Sequence, residues 1–159
     1  MGEQFVKPEQ VLVNVTASSK LEALKLLAEL GSELGIGHNS KGILQAFLDR
    51  EELGTTGMEN GLAIPHAKSD VIKYPAVCLA KFSQPVEWES MDGKPVTIAV
   101  ALYVPQSDAN TTHIRLISKV AVLASRDDFS SFIASTDNPV EIAKYLSEGI
   151  QLYNPGISS

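Results

Sequence analysis

The ten residues VTIAVALYVP, 96–105, form the longest apolar run in the chain. A stretch that apolar offers no polar face to water, so it reads as a central β-strand of a covered sheet. Three further runs have strand character: VLVNV (11–15), GLAI (61–64) and AVCLAKFS (76–83). Between and after them lie segments with helical periodicity. In SKLEALKLLAELGSEL, Ser19 and Glu22 have capping-box spacing, and Leu21, Leu24, Leu27 and Leu30 are expected on one face. NSKGILQAFLDREEL predicts a second helix capped near Asn39 or Ser40, with Ile43, Leu44, Phe47 and Leu48 inward and Arg50 in the last turn or just beyond.

Downstream, Asn60-Gly61 and Asp92-Gly93 are turn signals. QSDANTTHIRLISKVAVLASR predicts a helix capped at Asn110, Thr111 or Thr112 and burying Ile114, Ile117, Val120, Ala121 and Ala124, with His113 in or beside its first turn. DDFSSFIAS predicts a short helix. NPVEIAKYLSEGI predicts another, with Asn138 as N-cap, Pro139 at the first helical position and Glu141 at N3. The alternation gives an α/β chain, a mixed sheet with helices packed on it. The 159 residues suit one domain, 1–159.

Composition narrows the function. A net charge of −6 argues against a nucleic-acid binder, which carries a basic face. The single cysteine, Cys78, excludes an internal disulfide and any CxxC metal site, and its apolar setting predicts a buried thiol. No signal-peptide core and no run of membrane-spanning length occur, so the expected location is the cytoplasm. The loop LGIGHNSKG lacks the order of a P-loop and follows a helix, so it reads as a helix end at Gly35 or Gly37 and the next N-cap, with His38 between. Zinc would need more ligands than His66 and His113, and there is no HExxH or GxSxG pattern.

One stretch asks for an explanation. In GLAIPHAKSDV, 61–71, an apolar strand stops at Pro65 and presents His66 in what reads as a loop at a sheet edge or end. Proline lacks an N–H and fixes φ, so it halts the ladder and stiffens the step before the histidine. His66, His113 at a helix start and Arg50 at a helix end form a chemically sensible set for a phosphorylated histidine. Neutral imidazole is a nitrogen nucleophile. A phosphoryl group needs positioning and charge stabilisation, which a guanidinium fork and helix N–H groups supply. Spacing alone does not show that the three meet.

The block REELGTTGMENGLAIPHAKSDVI, 50–72, resembles the signature of the fructose/mannitol-type enzyme IIA domain (EIIA type 2) of the bacterial phosphoenolpyruvate-dependent sugar phosphotransferase system. MDGKPVTIAVALYVPQSDANTTHIRLISKVAVL, 91–123, is similar to that family's second block. The resemblance runs over about residues 5–150 and implies a mixed, mainly five-stranded sheet flanked by helices in a layered sandwich. It implies that His66 is the phosphorylated nucleophile, that Arg50 contacts the phosphoryl site and that His113 hydrogen-bonds near it. The implied activity is that of a phosphotransferase component. Phosphate would come from the phosphocarrier protein HPr and leave to a cysteine of an enzyme IIB domain, with the membrane IIC component reached only indirectly. No metal or organic cofactor is implied.

Where the family has Ser-Thr-Gly-Ile-Gly, this chain has Thr55-Thr56-Gly57-Met58-Glu59, and Glu59 is expected to point to solvent. DGKPV and VPQSDANTTHI resemble fructose-type members, so the expected role is sugar transport, fructose-like. The alternative is a regulatory phosphoprotein of the nitrogen-related branch, which acts by binding partners in a phosphorylation-dependent way.

Overall fold

The computed structural model describes residues 5–108 and 111–152, with side chains for 5–107 and 115–150. The elements run β1 (Val11–Val15), α1 (Lys20–Glu33), α2 (Ser40–Glu52), β2 (Leu62–Ala63), β3 (His66–Ser69), β4 (Ala76–Val86), β5 (Val96–Pro105), α3 (Thr111–Ala124), α4 (Asp127–Ser135) and α5 (Pro139–Leu152). They build one five-stranded mixed sheet in the order β1-β4-β5-β2, with β3 also on β5. β4 and β5 are antiparallel, while β1 on β4 and both β2 and β3 on β5 are parallel. The apolar run 96–105 is the central strand expected of it.

Its side chains alternate between two cores. Ala99, Ala101 and Tyr103 join Leu24, Leu27, Ile43 and Phe47 on the face covered by α1 and α2. Ile98, Val100 and Leu102 join Leu116, Leu123, Phe129, Ile142 and Leu146 on the face covered by α3, α4 and α5. The result is a three-layer sandwich. The first core is closed at depth by Tyr103, whose hydroxyl donates to Leu27 O at 2.7 Å and whose ring meets Phe47 edge-on at 5.7 Å. Cys78 is fully buried there, and burial pushes its thiol up to about 12.

Helix boundaries follow the cap chemistry. Ser19 accepts from Glu22 N at 3.1 Å, and Asn39 accepts from Gly42 N at 3.1 Å. The reciprocal half of the expected capping box goes elsewhere: the Glu22 carboxylate takes Ser18 N at 2.6 Å. Gly35, at φ 78°, ends α1. Asn138 accepts from Val140 N at 2.9 Å ahead of Pro139.

Two helix faces differ from expectation. Leu21 is 50% exposed, and the buried side of α1 is Ala23, Leu24, Leu27, Ala28, Leu30 and Gly31. Steps of three residues fall short of a full 3.6-residue turn, so a strict i, i+3 row drifts off the core face. In α3 the buried row is Leu116, Val120, Leu123 and Ala124, with Ile117 and Ala121 only partly buried. Ile114 lies outside the described side chains.

Candidate functional site

The expected end of the strand at Pro65 is in fact an interruption. Leu62 pairs with Ile98 and Ala63 with Ala99, and then His66 pairs with Leu102 and Ala67 with Tyr103. The offset is the same before and after, so β2 and β3 run along β5 in one register. Pro65 removes a single donor; its carbonyl still accepts from Leu102 N at 2.9 Å. His66 therefore opens an edge strand and is not a loop residue, which holds its backbone more firmly than a loop would.

α2 supplies the second part. Its last turn carries Arg50, whose Nη1 donates to Gly54 O at 2.8 Å, folding the guanidinium back over the helix end. Arg50 and His66 line one cavity of about 360 Å³, together with Ala46, Asp49, Leu53, Lys68, Val104 and Ile117. His66 is half-buried, and among the described residues no hydrogen bond engages its ring. Burial first, and then the charge of Arg50, push the imidazole from 6.5 down to about 4, while Glu51 pulls the other way. At neutral pH the ring is uncharged, with a nitrogen lone pair that none of the described residues engages.

His113 stands in the first turn of α3, but its side chain lies outside the described residues. Ile117, one turn further along, lines the cavity. His38 is exposed, and its backbone N–H donates to Val71 O at 3.2 Å, away from this cavity. Glu59 is exposed as expected. It borders a different hollow of about 250 Å³ with Met58, Leu62, Met91 and Arg126. No helix among the described residues is long and apolar enough to cross a membrane.

Sequence reasoning missed Glu51. Its side chain is 5% exposed and takes Lys20 Nζ at 3.0 Å, Thr56 N at 3.2 Å and Thr56 Oγ1. Thr56 O in turn accepts from Ile64 N at 3.0 Å, two residues before His66. The available signal was Thr56, a hydroxyl five positions after a helix-end carboxylate, whose loop could fold back to cap it.

The titration of His66 gives a testable sign. Its folded value lies below its ordinary one, so the unfolded chain binds the proton first. Stability is complete above about 6.5 and falls as the pH drops toward about 4. The loss is on the order of 3 kcal/mol. Urea unfolding between pH 7 and pH 4 should show this slope in wild type and a flatter one in His66→Gln. Parallel slopes would mean that His66 is protonated normally.

Comparison with known proteins places the chain in a family. Residues 4–149 match the family model described as phosphoenolpyruvate-dependent sugar phosphotransferase system, EIIA 2. A nitrogen regulatory protein of Bradyrhizobium diazoefficiens is 32% identical over 143 residues, covering 90% of this chain and 92% of its own. The 2-O-alpha-mannosyl-D-glycerate-specific EIIABC component of Escherichia coli is 30% identical over 141 residues, 88% of this chain but 21% of that larger protein. Among solved structures, the nitrogen regulatory protein IIA-Ntr of Neisseria meningitidis superposes with a TM-score of 0.80 over 89% of this chain and 96% of its own, at 24% identity, which speaks to the fold alone. The chain belongs to the EIIA 2 family of the phosphoenolpyruvate-dependent sugar phosphotransferase system.

Proposed function

We propose that the chain is a single-domain phosphoryl carrier, residues 1–159, that takes a phosphoryl group on His66 and hands it on. The observation that carries this reading is the cavity in which a neutral imidazole and the Arg50 guanidinium face the same open space. A His66 nitrogen lone pair forms the new N–P bond as the bond from phosphorus to the donor nitrogen breaks. The departing donor nitrogen takes up a proton and the His66 ring releases one, so charge and atoms balance. The guanidinium, permanently charged and planar, stabilises the equatorial oxygens of the transferring group. His113 is assigned the second hydrogen bond to them from the helix start.

The donor is phosphorylated HPr and the acceptor a cysteine on an enzyme IIB domain, in the cytoplasm, with IIC reached only through IIB. Cys78 is not that acceptor, since its thiol is buried and uncharged. The relative whose A, B and C components share one protein supports a transport role, and the DGKPV turn favours a fructose-like sugar. A second reading has its own support. The nitrogen regulatory relative aligns over 92% of its own length. In that reading phosphorylation adds roughly two negative charges and changes which partner binds.

The two readings separate in a relay assay. Phosphorylated protein is mixed with a fructose-type IIB domain, and label on the IIB cysteine is followed. Transfer within seconds supports transport. Retention on His66, with transfer to no sugar-type IIB, overturns transport in favour of the regulatory reading.

A further inference from the structure

We propose that Glu51 is a positioning residue of the His66 site, and that its buried charge limits how tightly the site holds a phosphoryl group. The inference rests on the phosphohistidine reading above.

Glu51 joins three parts of the molecule. Its carboxylate receives Lys20 from the first turn of α1 and both the N–H and hydroxyl of Thr56. Thr56 is 4% exposed, and its carbonyl holds Ile64, so the connection continues to the strand that presents His66. Lys20 itself sits 5.6 Å from the centre of the Trp88 ring. An ion pair with its carboxylate buried and its lysine partly exposed contributes little net stability compared with apolar side chains of the same volume. What it does supply is a fixed negative charge next to Arg50 in sequence, in a place where water screens it poorly.

That charge acts on His66 against Arg50. Glu51 stands behind the cavity and does not line it; besides Arg50, the charged groups that do are Asp49 from α2 and Lys68 from β3, and among the described residues α3 contributes apolar Ile117. Phosphorylation brings about two negative charges into this space. Arg50 favours them, Glu51 opposes them, and Lys20 cancels part of Glu51. A carrier must release its group as readily as it accepts it, so an unopposed Arg50 would favour the loaded state at the expense of onward transfer.

The test uses the full-length protein with phosphorylated HPr, reading the equilibrium between phospho-HPr and phospho-His66 by quenched labelling and the His66 titration by NMR. Glu51→Gln keeps the side-chain shape and an acceptor oxygen. It should move the equilibrium toward phospho-His66 by about tenfold and slow onward transfer. Lys20→Gln should move it the opposite way by about threefold and raise the His66 pKa. Glu29→Gln changes the net charge as Glu51→Gln does, on an exposed face of α1, and should move neither.

Opposite signs for the two variants are the signature of a field; a purely structural role would weaken uptake in both. Shifts of the same sign, or none, overturn the inference while leaving the phosphohistidine reading intact. If Glu51→Gln fails to fold, Lys20→Gln decides alone: a raised pKa supports the inference and an unchanged one overturns it. A wild-type chain that takes no label at all overturns the phosphohistidine reading itself, and the inference with it.

Discussion

Arg50→Ala should lower the rate of phosphoryl uptake by about 10²–10³, the usual loss when one donor to a developing anion is removed. The nucleophile is not the cause of that loss. Removing the guanidinium lets the His66 pKa rise, but burial is the larger cause of its depression, so the ring stays neutral at pH 7. Single-turnover uptake measured from pH 6 to pH 8 should therefore fall by the same factor throughout. Arg50→Lys restores the charge without the planar fork and should recover about tenfold. It also tests the anchor, because Nη1 donates to Gly54 O at 2.8 Å, a contact a shorter point donor makes less well. Uptake within threefold of wild type in Arg50→Ala would remove Arg50 from the site.

Gly57→Ala should unfold the protein more readily than any exposed substitution. A β-carbon at Gly57 would sit 2.1 Å from Glu89 O and 3.0 Å from both Glu89 C and Ser90 Cα. These are backbone atoms and cannot rotate aside, so the whole 55–58 segment must lift. That segment is stitched on both sides: Thr55 Oγ1 donates to Glu89 O at 2.6 Å, Met58 N to Leu62 O at 2.7 Å and Met91 N to Met58 O at 3.2 Å. The expected loss is about 3 kcal/mol, which in a chain of this length lowers the melting temperature by roughly 6–12 °C. Lifting the segment also pulls Thr56 from Glu51, so phosphoryl uptake falls with stability. Gly93→Ala is the contrast: nothing crowds that position, only its φ of 75° resists a side chain, and the cost is about 1 kcal/mol. Equal melting temperatures for the two variants would refute the packing argument.

Much of the fold follows from local chemistry. Strand 96–105, the caps at Ser19, Asn39 and Asn138, and the left-handed turn at Asn60-Gly61 all follow from residue types acting on their neighbours. Two features depend on contacts between distant segments. The register that carries β2 through Pro65 into β3 is set by β5, whose partner residues lie 36 positions away. The buried row of α3 was displaced because several apolar positions competed, and the sheet chose Leu116 and Leu123. The candidate site divides the same way. Arg50 and His66 stood out as residue types, whereas Glu51 depends on a lysine thirty-one positions earlier and a loop that folds back on it.

His66 is the residue proposed to carry the phosphoryl group. Wild type and His66→Gln are incubated with labelled phosphoenolpyruvate, enzyme I and HPr, and the label on the protein is counted after acid and after alkali. The expected result is about one label per wild-type chain, lost in acid and retained in alkali, and none on His66→Gln. Label that persists on a folded His66→Gln, or a wild-type chain that takes none from this donor, would contradict it.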